Sequence, residues 1–260
     1  MRITDSHCHL NRIPHQVGRV EEIIQQAAEL DVTRMLCVAI SPDRWDEVIE
    51  LAERFDNVYA TVGIHPTTDA AVVLDETRLC ELAQHPKVIA VGEIGLDYFH
   101  HKPDKEDLTW MVERFRRQIQ LAKAVNLPVI IHTRESTPDL LDILEEEGAE
   151  TVGGIMHCFV DDLASAQRAM DMGFYISFSG ILTFNSAKAL QEVAKAIPAD
   201  RLLVETDSPY LAPVPYRGKV NQPGYTRYVV EKLAQLRGET PEAIAEQTWQ
   251  NFNRLFGLSD

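Results

Sequence analysis

Positive charge is what this 260-residue sequence has least of: 25 Lys and Arg stand against 40 Asp and Glu, for a formal net charge of −15. That balance argues against a broad basic surface that holds nucleic acid by neutralising phosphates. It leaves open an enzyme whose metal ions supply the local positive charge. Cysteine is sparse too. Cys8, Cys37, Cys80 and Cys158 form no C-x-x-C pair. With no signal-peptide pattern, the expected location is a reducing cytoplasm. No apolar run is long enough to span a membrane, and nothing marks an obligatory protein partner. No composition shift, repeat, Gly/Ser run or charge block suggests a linker, so one domain is expected over residues 1–260. That length suits an α/β barrel.

What is present is an alternation. Short β-branched runs are followed by stretches of helical period, the pattern of repeated βα units around a parallel sheet. Strands are expected near 2–5, 34–40, 58–62, 88–91, 128–131, 154–156, 174–178 and 201–204. Helices are expected near 17–30, from Pro42 onward, and near 75–85, 105–125, 138–146, 162–172 and 186–196, with two closing helices near 225–237 and 241–256. Eight strands, each followed by a helix, predict a (β/α)8 TIM barrel with its site at the C-terminal strand ends.

The ionisable residues fall at those ends. In Asp5-Ser6-His7-Cys8-His9, the two imidazoles lie two apart and share a strand face. His65 follows strand 3, Glu93 strand 4, His132 strand 5, His157 strand 6 and Asp207 strand 8. Each has a plain structural alternative. His157 could be a hydrogen-bonded core histidine, Asp207 a turn cap and Glu93 the partner of an arginine. Gathered on one rim, however, these groups would be costly to bury unpaired, and divalent cations remove that cost. Six candidates (His7, His9, Glu93, His132, His157, Asp207) exceed the needs of one metal. Two cations about 3.5–4 Å apart, sharing a carboxylate and holding a hydroxide between them, fit better. Glu93 is the candidate bridge.

The segments Asp5-Ser6-His7-Cys8-His9-Leu10, Gly63-Ile64-His65-Pro66, Gly92-Glu93-Ile94-Gly95-Leu96-Asp97-Tyr98, Pro128 to Arg134, Met156-His157-Cys158-Phe159 and Glu205 to Leu211 resemble the TatD-type metal-dependent hydrolases of the amidohydrolase superfamily. The resemblance runs from about Thr4 to Asn251-Phe252. It implies one metal on His7, His9, Glu93 and Asp207 and a second on Glu93, His132 and His157. It also implies phosphodiester hydrolysis, as a deoxyribonuclease removing nucleotides from DNA ends. One departure is Met111, where the family usually has Gln.

On this reading Asp207 and Glu93 are the catalytic carboxylates, with Asp207 as general base or proton shuttle. The cofactor is two divalent ions (Zn, Mn or Mg), and the partner is DNA, single-stranded or frayed at its ends. His65, Arg134, Arg217 and Lys219 are candidate substrate contacts. For His65 the rival is a structural role before Pro66, and for each basic residue it is a solvated surface charge. Tyr98 and Phe99 could stack a base or simply pack their loop. His15, His85, His100 and His101 read as solvent-facing, and Cys8 and Cys158 as packing residues. An ester or amide hydrolase, such as an aminoacyl-tRNA deacylase or lactonase using the same dinuclear site, is the alternative activity.

Overall fold

A computed structural model describes residues 1–259. Its strands are β1 (Ile3–Cys8), β2 (Val32–Cys37), β3 (Val58–Val62), β4 (Val88–Asp97), β5 (Val129–Arg134), β6 (Gly154–Met156), β7 (Tyr175–Phe178) and β8 (Leu202–Val204). All pair in parallel, in the order β1 to β8. The ends of the sheet meet through backbone bonds: Asp207 N donates to His7 O at 2.9 Å, and His9 N to Ser208 O at 2.8 Å. This is the (β/α)8 barrel.

Between the strands run α1 (Val20–Glu29), α2 (Trp45–Arg54), α3 (Glu76–Leu82), α4 (Thr109–Val125), α5 (Thr137–Glu146), α6 (Leu163–Asp171) and α7 (Lys188–Ala196). The chain closes with α8 (Thr226–Arg237) and α9 (Pro241–Phe256). Several helix starts carry the expected chemistry. Asp75, Asp162 and Thr240 accept from the backbone N–H three residues on, at 2.9, 2.8 and 3.2 Å, satisfying donors that a helix start leaves open. Pro42 opens a short 3-10 turn rather than α2 itself.

Strand alternation sorts the core into two groups. Met35 and Cys37 belong to the layer shared with the helices. Leu36, Val38, Ile89, Ile130, Ile155, Tyr175 and Leu203 gather with Phe252 of α9. That second set draws on six strands and one helix, so it is the barrel interior, closed at the far end by α9.

Three strands run further than the sequence suggests. β1 extends to Cys8, β4 to Asp97 and β5 to Arg134. The sequence hides this because polar residues and glycines break up the apolar run in each addition, leaving Cys8, Ile94 and Leu96 isolated within them. Burial of all ten β4 positions shows that tertiary packing overrides the local pattern. The additions put His7, Glu93 and His132 within strands rather than just past them. Pairing is also irregular between Asp5 and Cys8 in β1, and between Val91 and Ile94 in β4. Such irregularities re-aim side chains next to active sites, and here they bracket His7 and Glu93.

Candidate active site

Glu93 is the hub. One carboxylate oxygen, Oε1, lies 3.0 Å from His157 Nε2, 3.1 Å from His132 Nδ1 and 3.4 Å from His65 Nε2. The other, Oε2, lies 3.4 Å from His7 Nε2 and 3.7 Å from His9 Nε2. Asp207 Oδ1 joins the second set, 3.4 Å from His9 Nε2 and 3.8 Å from His7 Nε2. Groups capable of holding a metal are His7–His9–Asp207, His7–His157–Glu205 and His65–Glu93–His132. All six proposed ligands therefore converge, with the substrate candidate His65 among them, and the structure adds Asp97 and Glu205 around them.

Close backbone approach makes this possible. A Cβ on Gly95, where φ is +149°, would meet His132 O at 1.9 Å. Asp207 sits at φ +56°, a conformation uncommon for a non-glycine residue. It is held there by the bond from its own N–H to His7 O.

The imidazoles are oriented from behind. His157 Nδ1 faces Glu205 Oε1 at 2.9 Å, His132 Nε2 faces Asp97 Oδ2 at 3.1 Å, and His9 Nδ1 faces Val38 O at 2.8 Å. Each outer partner accepts a hydrogen bond, so in the neutral ring the remaining nitrogen directs a lone pair inward, as a metal ligand requires. His65 is the reverse. Its Nδ1 accepts from Thr67 N at 3.1 Å, which leaves the proton of a neutral ring on Nε2, facing Glu93. Distance alone groups His65 with Glu93 and His132, but its tautomer makes it a donor. His7 Nδ1 and Glu205 Oε2 are buried without a hydrogen-bond partner.

Electrostatics follow from this crowding. Burial opposes the charge on His157, His132 and His9, but neighbouring carboxylates outweigh it and hold these pKa values above the usual imidazole range. Burial lowers His65 to about 4 and lowers His7 as well. Glu93, Asp97 and Asp207 lie below the usual carboxylate range, because imidazole partners overcome the cost of burial. A set of imidazole nitrogens and carboxylate oxygens of this density fits a divalent cation.

The remaining candidates contact aromatic rings. Arg134 stacks on Phe99 at 3.6 Å, Arg217 on Phe184 at 4.3 Å, and Lys219 lies 5.6 Å from the Tyr216 ring. All three basic residues are exposed. Tyr98 is tied to Asp139 at 2.8 Å, whereas Phe99 is open to solvent. Of the histidines read as solvent-facing, His15 and His100 are exposed, His100 with its Nδ1 held by Asp97 at 2.8 Å. His101 and His85 are instead half-buried, facing Glu106 at 3.3 Å and Glu53 at 3.0 Å. Cys8 packs as expected, but Cys158 is partly exposed and meets Ser179 Oγ at 3.2 Å.

Met111 is buried in apolar packing. Seven residues along α4, Gln118 bonds both Ile64 N and Ile64 O, at 2.7 and 3.1 Å, and so steadies the segment that carries His65. Asp97 and Glu205 were both visible within the motifs, but their tasks were not. Their partners lie 35 and 48 positions away along the chain.

Comparison with known proteins agrees with this geometry. Residues 4–257 match the family model described as TatD related DNase. The chain is 46% identical to the uncharacterized metal-dependent hydrolase YabD of Bacillus subtilis, over 98% of this chain and 99% of that protein. It is 43% identical to the uncharacterized metal-dependent hydrolase YcfH of Escherichia coli K12, over 99% and 97%. The crystal structure of YjjV, a TatD homolog from Escherichia coli K12, superposes with a TM-score of 0.90 at 30% identity, covering 99% of both chains. An organophosphorus hydrolase from Deinococcus radiodurans, at 16% identity and TM-score 0.66, shares the fold. Fold, converging ligands and end-to-end similarity lead to one conclusion: this chain belongs to the TatD-type metal-dependent hydrolases of the amidohydrolase superfamily.

Proposed function

We propose that this hydrolase is a deoxyribonuclease that cleaves phosphodiester bonds at the ends of DNA, acting on single or frayed strands. The observation that carries the reading is the division of Glu93 between two sets of imidazoles, which suits a pair of cations sharing one carboxylate. His7, His9, Glu93 and Asp207 would hold one ion, and Glu93, His132 and His157 the other. When bound, Zn, Mn or Mg ions supply a water of lowered pKa and offset charge on the phosphoryl oxygens.

The chain's own groups do the rest. Asp207 is ionised at neutral pH and is placed to accept a proton from the attacking water. Neutral His65 directs its Nε2 proton inward, where it can donate to a phosphoryl oxygen. Glu205 and Asp97 keep His157 and His132 in the tautomers that ligation needs.

End-labelled oligonucleotides incubated with added Mg2+, Mn2+ or Zn2+ should be shortened, and EDTA should stop the reaction. Asp207→Ala should lower the rate by about 10²–10⁴-fold, the range expected for a lost acid–base group, with an unchanged fold by circular dichroism. Metal-loaded protein that leaves oligonucleotides intact would refute the reading. The net charge of −15 favours a small ester or amide as the rival substrate. Competition between an oligonucleotide and a lactone or aminoacyl ester separates the two.

A further inference from the structure

Two aromatic side chains are exposed among the described residues: Phe99, at 44%, and Tyr210, at 46%. Both belong to loops at the C-terminal end of the barrel, one after β4 and one after β8. Each is tethered to the site by its own backbone. Phe99 N donates to Asp97 Oδ1 at 3.0 Å, and the same Asp97 holds His132. Tyr210 N donates to Asp207 O at 2.9 Å, and its ring lies 6.3 Å from that of His9.

In a closed ring ordered β1 to β8, the β4/β5 side lies opposite the β8/β1 side. The two loops that carry these rings therefore rise from opposite sides of the cluster. Each ring is also paired with an arginine: Arg134 stacks on Phe99 at 3.6 Å, and Arg12 Nε donates to the Tyr210 hydroxyl at 3.1 Å.

Exposed aromatic faces beside guanidinium groups are the usual means of holding unstacked bases near a phosphate backbone. A single platform would suit a terminal base alone. Two, on loops from opposite sides of one set of carboxylates and imidazoles, suit a linkage with a flat group on each side. We propose that Phe99 and Tyr210 are the two base platforms of the site, one for the nucleoside on each side of the scissile phosphate. The smallest good substrate is then a dinucleotide unit with both bases present. This rests on the phosphodiesterase reading and adds to it the two residues that recognise the flanking nucleosides.

The test uses metal-loaded full-length protein and single-stranded trinucleotides carrying an abasic residue on one side or the other of the cleaved bond. Binding of phosphorothioate-linked counterparts, measured by calorimetry, gives a readout apart from turnover. Phe99→Ala and Tyr210→Ala should each raise KM and the dissociation constant by about 5- to 100-fold, the effect of losing one base–aromatic stack, with little change in kcat. Phe99→Tyr and Tyr210→Phe should keep near-normal affinity. The penalty of one alanine variant should vanish when the base on one side is removed, and that of the other when the opposite base is removed.

If both penalties vanish with the same base, or neither responds to either base, the two-platform proposal is overturned while the nuclease reading stands. If the wild-type protein neither cleaves nor binds these trinucleotides, the nuclease reading itself fails and takes the proposal with it.

Discussion

The two halves of the site are built differently. On the β5/β6 side, His132 and His157 are each backed by a buried carboxylate, Asp97 and Glu205. On the β1 side, His9 is backed by the Val38 carbonyl, and His7 Nδ1 has no partner. A carboxylate behind an imidazole makes the ring more basic and a stronger ligand, whereas a carbonyl mainly fixes its orientation. The β5/β6 half should therefore bind its ion more tightly and be more sensitive to pH. Glu93 is common to both halves, so it couples them.

The largest effect should come from removing that shared group. Glu93→Ala should abolish hydrolysis and reduce metal content at both positions by elemental analysis. Loss of only one equivalent, with activity retained, would break the comparison at its centre. Next come the outer carboxylates. Glu205→Gln and Asp97→Asn should each weaken metal binding by about 10- to 100-fold, seen as a lower chelator concentration for half-removal. If neither shifts it, the two halves are equivalent in practice.

Protonation sharpens the contrast further. In the metal-free protein, Glu205 and Glu93 hold His157 well above the usual imidazole range despite burial, so a bound metal must displace its proton at neutral pH. Metal affinity should therefore rise with pH through and beyond neutrality. Calorimetry in two buffers of different ionisation enthalpy should show proton release on binding. Glu205→Gln should reduce both effects.

The smallest expected effect lies beneath the β1 half. Asp5 is buried, and burial pushes its carboxyl up to about 8 against hydrogen bonds from Thr206. Unfolded aspartate ionises near about 3.9. Between these values the unfolded chain gives up a proton that the folded chain keeps, so this group lowers stability as pH rises. Asp5→Asn removes that dependence. Its stability relative to the parent should therefore improve between pH 4.5 and 8 in denaturant melts of metal-free protein. A pH-independent difference would show that Asp5 is ionised in the fold.

Much of this was legible in the residue order. Period-2 and period-3.6 runs separated the strands from the helices, and His7-x-His9, Glu93, His132, His157 and Asp207 stood where strands end. What was not legible has a common origin. The orienting roles of Asp97 and Glu205 depend on contacts between strands far apart in the chain. The β1 and β4 irregularities that aim His7 and Glu93 depend on neighbouring strands. His100 looked like one of several charged loop residues because its bond to Asp97 depends on how the loop turns back.

By itself the sequence determined which chemical groups are present, how often the chain turns, and which strand carries each imidazole or carboxylate, because side-chain periodicity follows from backbone geometry. Tertiary structure alone decided the tautomers, the pKa ordering and the division of Glu93 between two sets of rings. These depend on distances of about 3 Å between groups that barrel closure brings together.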